Sequence, residues 1–168
     1  IRIASGSLGQ GISVAIGAAL AKKMDGDDKL VYCLTGDGEL QEGQIWEALI
    51  FAAAKKVDNL IVTVDWNNAQ IDGSTQQVCD LGDLKAKFLA FGFEVLEMKG
   101  NVMDDVVFTL TEAQLKTKKG KPVCILMHTE MGFGVDFMMG THKWHGSAPN
   151  DEQLAKAMAQ LEETLDDY

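Results

Sequence analysis

The sequence predicts an α/β fold, a three-layer arrangement with a parallel sheet between helices, and three observations predict it. Four short apolar runs rich in Val, Ile and Leu alternate with longer stretches whose apolar residues recur at helical spacing. The links between them are short, which suits strands joined by helical crossovers with helices on both faces. Two of the apolar runs end in glycine, aspartate or asparagine, and ligands of an open parallel sheet gather beyond the strands' carboxyl ends.

The elements come in this order. A helix is expected over residues 8–24, opening within the glycine-rich "SGSLGQGIS" of residues 5–13. The first strand, residues 30–35 ("LVYCLT"), stops at Gly36. The helix over 42–55 carries Ile45, Trp46, Leu49, Ile50 and Ala53 as one apolar stripe for the sheet. The second strand, 59–65 ("NLIVTVD"), ends at Trp66-Asn67-Asn68. A helix over 81–91 precedes the strand 93–98 ("FEVLEM"), and a helix over 103–118 precedes the strand 122–129 ("PVCILMHT"). The segment 129–150 is long, unperiodic and rich in Gly and Met, and structureless loops of that length are uncommon without a function. A last helix over 151–165 places Leu154, Met158, Leu161 and Leu165 on one face, its acids forming a solvated surface.

The 168 residues, 46% hydrophobic, suffice for one domain with a sizeable core, so a single domain over 1–168 is expected. The glycine-rich stretch follows Ile1 with no strand in front of it, as expected of a domain lacking an N-terminal portion. No apolar run is long enough to span a bilayer and no signal-peptide pattern is present. Cys33, Cys79 and Cys124 are odd in number and widely spaced, which fits reduced thiols and a cytoplasmic setting better than disulfides or a metal site. A net charge of −10, with Arg2 the only arginine, argues against nucleic acid. The charge of an anionic ligand would have to be met by a metal, helix N-termini or another chain.

Asp37 stands between Gly36 and Gly38 at the end of the first strand, just before a helix. The glycines permit close backbone approach, and the helix start offers unpaired N–H groups, so the place suits an anion. A carboxylate there would repel the anion unless a cation lay between them. One carboxylate, one asparagine oxygen and phosphate oxygens suit Mg²⁺, which takes hard oxygen ligands at about 2.1 Å and commonly uses few protein groups. Asp37 and Asn67, at the ends of successive strands, are the candidate ligands. Taken singly, Gly-Asp-Gly would pass for a tight turn and Asn67-Asn68 for a strand-end loop.

"GDGELQEG" followed by "DWNNAQIDG" resembles the metal and diphosphate signature of thiamine-diphosphate enzymes, and closely resembles the N-terminal part of transketolase. The resemblance implies the thiamine-diphosphate-binding fold and Mg²⁺ held by Asp37, Asn67 and the main-chain carbonyl of Ala69. Counting back from Ile71-Asp72-Gly73 favours Asn67, with Asn68 the alternative. It further implies cofactor contacts from Gly6 and Leu8, with Ser7 where many relatives carry Pro, from Gly38 in the first motif, and from Met131 in "MGFG". His145 in "HKWHG" would reach cofactor and substrate as the catalytic residue. Only the family pattern raises His145 above His142 and His128, and residues 135–141 run slightly longer than the common family form. Glu39 would contact the cofactor or favour the helix dipole. Glu42 and Glu47 correspond to acids at a subunit interface.

What the resemblance implies as a whole is a two-carbon ketol transfer from a ketose phosphate to an aldose phosphate. The partner would be a C-terminal subunit carrying the pyrimidine-binding domain, in a dimer or heterotetramer. Family histidines upstream of "GSLGQG", sugar-phosphate arginines and the glutamate that activates the aminopyrimidine are absent from these residues. The rival family members are deoxyxylulose-phosphate synthase and the 2-oxoacid dehydrogenase E1 component. "GSLGQG", "LQEGQIWEA" and the final "HG" favour transketolase over both. A phosphate-binding α/β domain without enzymatic activity, and an inactive scaffold, are the alternatives of another class.

Overall fold

The structure, a computed structural model, is described over residues 3–161. Four parallel strands, β1 (Val31–Gly36), β2 (Leu60–Trp66), β5 (Glu94–Lys99) and β6 (Val123–His128), form one sheet in the order β1-β2-β6-β5. Between β2 and β5 lie a two-residue-per-strand hairpin, β3 (Ala69–Gln70) and β4 (Gly73–Ser74), a short helix α3 (Thr75–Cys79) and α4 (Leu84–Ala90). The longer helices are α1 (Gln10–Met24), α2 (Gly43–Ala54) and α5 (Met103–Lys116), with α6 (Asp151–Met158) last.

Each sheet strand lies within one residue of its expected bounds. The central strands β2 and β6 are buried on both faces and read as continuous apolar runs, whereas the edge strand β1 leaves Tyr32 and Leu34 exposed. One face packs Ile12 and Ile16 of α1, Ile45 and Leu49 of α2 and Phe88 of α4 against Val62, Val64 and Leu126. The other packs Ala113 of α5, with Val106 and Leu110 at its edge, against Ile61, Val123 and Ile125. Three layers result, as expected. Burial pushes the Cys33 thiol up to about 11 and the Cys124 thiol well above its usual value, so both stay protonated within the core.

Several expected helix bounds are corrected. Helix α1 begins at Gln10 rather than at residue 8, because Gly9 sits in the left-handed region at φ 84°. Helix α4 begins at Leu84 rather than at 81, since the Asp83 side chain caps it by accepting from Ala86 N at 2.8 Å. Helix α5 stops at Lys116, short of 118. Helix α6 ends at Met158; the expected continuation over 162–165 lies outside the described residues. Ile50 of α2, expected on the core stripe, is 58% exposed, and Ala48 and Ala52 take the inner positions. Among the described residues no helix is long and apolar enough to cross a membrane.

Candidate functional site

Strand register brings the candidate residues together. Gly36 at the end of β1 pairs with Asp65 of β2, and Trp66 pairs with His128 of β6, so three adjacent strands deliver their loops to one edge of the sheet. The Asp37 N–H donates to the Asp65 carbonyl at 3.0 Å, prolonging the β1–β2 ladder into the first loop.

The Asp37 carboxylate is 1% exposed and joins the two loops. Its Oδ1 accepts from Gly38 N at 2.7 Å and its Oδ2 from Asn68 N at 2.6 Å. Burial raises its pKa above the ordinary carboxylate value, against the lowering effect of the Asn68 and Gly38 N–H groups, and the nearby Asp65 charge adds to the rise. Among the described residues no ion pair reaches Asp37. The sequence pattern predicts that α2 presents its N–H groups here. Instead a 3-10 turn, Gly38–Gln41, intervenes, and Asp37 itself caps it.

Glu39 has a role that its sequence position does not disclose. One carboxylate oxygen accepts from Gly9 N at 2.7 Å and the other from Gly36 N at 3.3 Å, so the acid binds the glycine-rich segment to the end of β1. Gln44 helps from α2, donating to the Leu8 carbonyl at 3.1 Å. Gly6 and Leu8 are exposed on that same segment.

The second loop is a sharp turn. Asn67 Oδ1 accepts from Ala69 N at 2.9 Å. Asn68 lies in the left-handed region at φ 59°, its Oδ1 accepts from the Trp66 indole at 2.8 Å, and its carbonyl accepts from Thr75 N at 3.1 Å.

A cleft of about 510 Å³ opens beside this turn, with Asn67 and Ala69 on one side and Thr129, Met131, Thr141 and His142 among the residues facing it. Met131, a cofactor contact by the family resemblance, is among the residues lining the cleft. His142 lines it too, whereas His145 is exposed, caps the 3-10 turn His142–Trp144 and is not in the lining. Thr129, whose hydroxyl donates to the Asp65 carboxylate, is not singled out by the sequence pattern. Its place one residue past β6, beside β2, is the available signal.

The donor chemistry fits a small hard cation. A buried carboxylate, an asparagine oxygen and a main-chain carbonyl are all oxygen donors. No group of three or more His, Cys, Asp and Glu side chains among the described residues could hold a metal alone. That suits an ion completed by ligand phosphates rather than one held in an all-protein cage.

The loop behind Met131 leaves no room for change. Gly132 has φ 72°, and a Cβ there would lie 2.5 Å from Met138 Cβ and 2.8 Å from its main-chain carbon. Gly132→Ala is expected to cost at least about 1–2 kcal/mol through the left-handed conformation alone. The backbone clash adds to it and displaces Met131. Thermal melting of the full-length chain checks this, and an unchanged midpoint would contradict the geometry.

The sequence matches the family described as "Transketolase, thiamine diphosphate binding domain" over residues 1–164. It is 40% identical over 166 residues to an apulose-4-phosphate transketolase subunit of Phocaeicola vulgatus, covering 99% of this chain and 58% of that protein. It is 42% identical over 162 residues to 6-deoxy-6-sulfo-D-fructose transketolase subunit SqwG of Clostridium sp., covering 96% of this chain and again 58% of the relative. The chain therefore spans little more than half the length of these curated relatives. Among solved structures it superposes on transketolase from Campylobacter jejuni with a TM-score of 0.86 at 37% identity, over 95% of this chain and 26% of that one. The Leishmania mexicana transketolase gives the same TM-score at 33% identity, over 99% and 27% of the two chains. With the sheet, the strand-end loops and the sequence in agreement, the chain belongs to the transketolase family, as its thiamine diphosphate binding domain.

Proposed function

We propose that this chain is the N-terminal, diphosphate-binding part of a split transketolase, transferring a two-carbon ketol unit from a ketose phosphate to an aldose phosphate. The observation that carries the proposal is the buried Asp37 carboxylate, which meets no ion-pair partner among the described residues and is bonded across two strand-end loops beside an open cleft. Asp37, Asn67 and the Ala69 carbonyl would hold Mg²⁺, which would supply the positive charge that a diphosphate needs at this edge of the sheet. Gly6, Leu8, Gly38 and Met131 face the cofactor, and Glu39 supports them by fixing the glycine-rich segment. When bound, thiamine diphosphate supplies the electron sink for the transferred unit.

His145 holds or moves a proton at substrate oxygens, with His142 the alternative that the cleft lining favours. The rest of the chain's share is positioning and charge. A C-terminal subunit with the pyrimidine-binding domain completes the site in a dimer or heterotetramer. Both the Phocaeicola vulgatus and the Clostridium relatives are subunits by name, which supports a partner. A cytoplasmic setting agrees with three free cysteines.

The test is activity of the full-length chain assembled with its partner, supplied with thiamine diphosphate and Mg²⁺. Ketol transfer between sugar phosphates is the expected result. Decarboxylation of pyruvate without ketol transfer would assign the chain to a 2-oxoacid enzyme instead.

A further inference from the structure

Trp66 has no place in the ligand set proposed for the metal or the cofactor, yet it sits where three segments meet. It is the last residue of β2, next to Asn67, and its indole N–H donates to Asn68 Oδ1 at 2.8 Å. Behind it the ring packs against His128 at 4.7 Å between centroids and 32° between planes. His128 is fixed in turn by Glu97 at 3.1 Å, and Glu97 by Lys85 at 2.7 Å. The indole is thereby anchored to β6 and, through β5, to α4.

Its hydrogen bond falls on the one residue of the turn that needs restraint. Asn68 is held at φ 59°, a conformation that non-glycine residues adopt only against a steric penalty, although asparagine tolerates it better than most. In that conformation its N–H reaches Asp37 Oδ2 at 2.6 Å and its carbonyl receives Thr75 N at 3.1 Å. If Asn68 relaxed to a right-handed or extended conformation, Asp37 would lose one of its two N–H donors. The Asn67 oxygen and the Ala69 carbonyl, on either side of Asn68, would also be re-aimed.

We propose that Trp66 is a positioning residue for the metal-side turn: its indole N–H locks Asn68 in the left-handed conformation that aligns Asp37, Asn67 and the Ala69 carbonyl. The proposal rests on the assignment of Mg²⁺ to those three residues. Its distinctive consequence is that the lock matters only while residue 68 resists the left-handed region. Glycine resists it little and has no side-chain oxygen to receive the indole.

The experiment is a double-mutant cycle in the full-length chain assembled with its partner, reading the dissociation constant of thiamine diphosphate at saturating Mg²⁺ by calorimetry. Trp66→Phe keeps a ring for His128 and removes the N–H; it is expected to weaken binding roughly three- to tenfold, the worth of one hydrogen bond. In an Asn68→Gly background the same Trp66→Phe change is expected to alter affinity by less than about twofold. Equal losses in both backgrounds, or no loss in either, would overturn the lock. A second comparison leaves Trp66 untouched: Asn68→Ala is expected to bind more weakly than Asn68→Gly, and equal affinities would also overturn it. Absence of Mg²⁺-dependent binding by the parent complex would sink the metal assignment itself, which separates the two failures.

Discussion

Replacing Asp37 with alanine is expected to remove Mg²⁺-dependent binding of thiamine diphosphate by the full-length chain and its partner. Asp37 is the only carboxylate in the proposed ligand set, and it is 1% exposed, so water cannot readily take its place at the ion. Truncating one member of a buried charged pair costs on the order of 2–5 kcal/mol, about thirtyfold or more in affinity. The fold should suffer less, because two opposing effects accompany the substitution. Gly38 N and Asn68 N lose their acceptor, and because Gly38 is half-buried and Asn68 exposed, water can replace part of each bond, so the loss stays below the roughly 1–3 kcal/mol of a fully buried donor left without a partner. Against that, the substitution removes a carboxylate that burial and the neighbouring Asp65 charge both disfavour. Calorimetric titration with and without Mg²⁺, beside a melting curve of the same sample, separates the two effects. Retained Mg²⁺-dependent binding by Asp37→Ala, or equal binding of an unrelated nucleotide by the parent, would point to a general phosphate-binding domain.

The sheet and the metal-side loops are legible in the sequence for one physical reason. Each parallel strand is written as a short apolar run, unbroken in β2 and β6 where both faces are covered, and the residues after each run lie at the sheet's carboxyl edge, so Asp37 and Asn67 can be placed together before any contact is known. Features that depend on approach across many residues are not legible. Glu39 reads as a helix-start acid until Gly9, thirty positions earlier, is seen to donate to it. The hairpin Ala69–Ser74 and the five-residue helix α3 are too short to carry a periodic pattern. The left-handed Asn68 carries no mark in the sequence that its neighbour Asn67 lacks. The predicted stripe on α2 fails at Ile50 because bulk is a poor sign of the inner face. The small Ala48 and Ala52 occupy it, where helix and sheet approach closely. In the segment 129–150 the family resemblance favours His145, and the fold brings His142 to the cleft.

Truncating Phe88 to alanine is expected to be the most destabilising change in the described core, and to act on the fold rather than on the ligand. Phe88 is fully buried on α4, edge-on to Phe93 at 5.6 Å and 78°, and 5.9 Å from Trp46 of α2. Removing such a ring forfeits its transfer free energy and leaves a cavity, together about 3–5 kcal/mol. The two aromatic pairings account for a further share of order 0.5–1.5 kcal/mol each, part of which the first figure already contains. At roughly 2–4 °C per kcal/mol for a domain of this size, the melting midpoint should fall by on the order of 10 °C. The cavity also borders a route to the site: the Trp46 indole N–H donates to the Leu40 carbonyl at 2.9 Å, in the 3-10 turn that Asp37 caps. That turn keeps its own support from Asp37 and Glu39, whose bonds to Gly38, Asn68, Gly9 and Gly36 do not pass through Phe88. Affinity for thiamine diphosphate, measured well below the lowered midpoint, should therefore stay within a few-fold of the parent. A Phe88→Ala protein that melts like the parent would deny this ring its place in the core. One that melts as expected but loses binding as completely as Asp37→Ala would show that the site's loops are held by core packing rather than by their own hydrogen bonds.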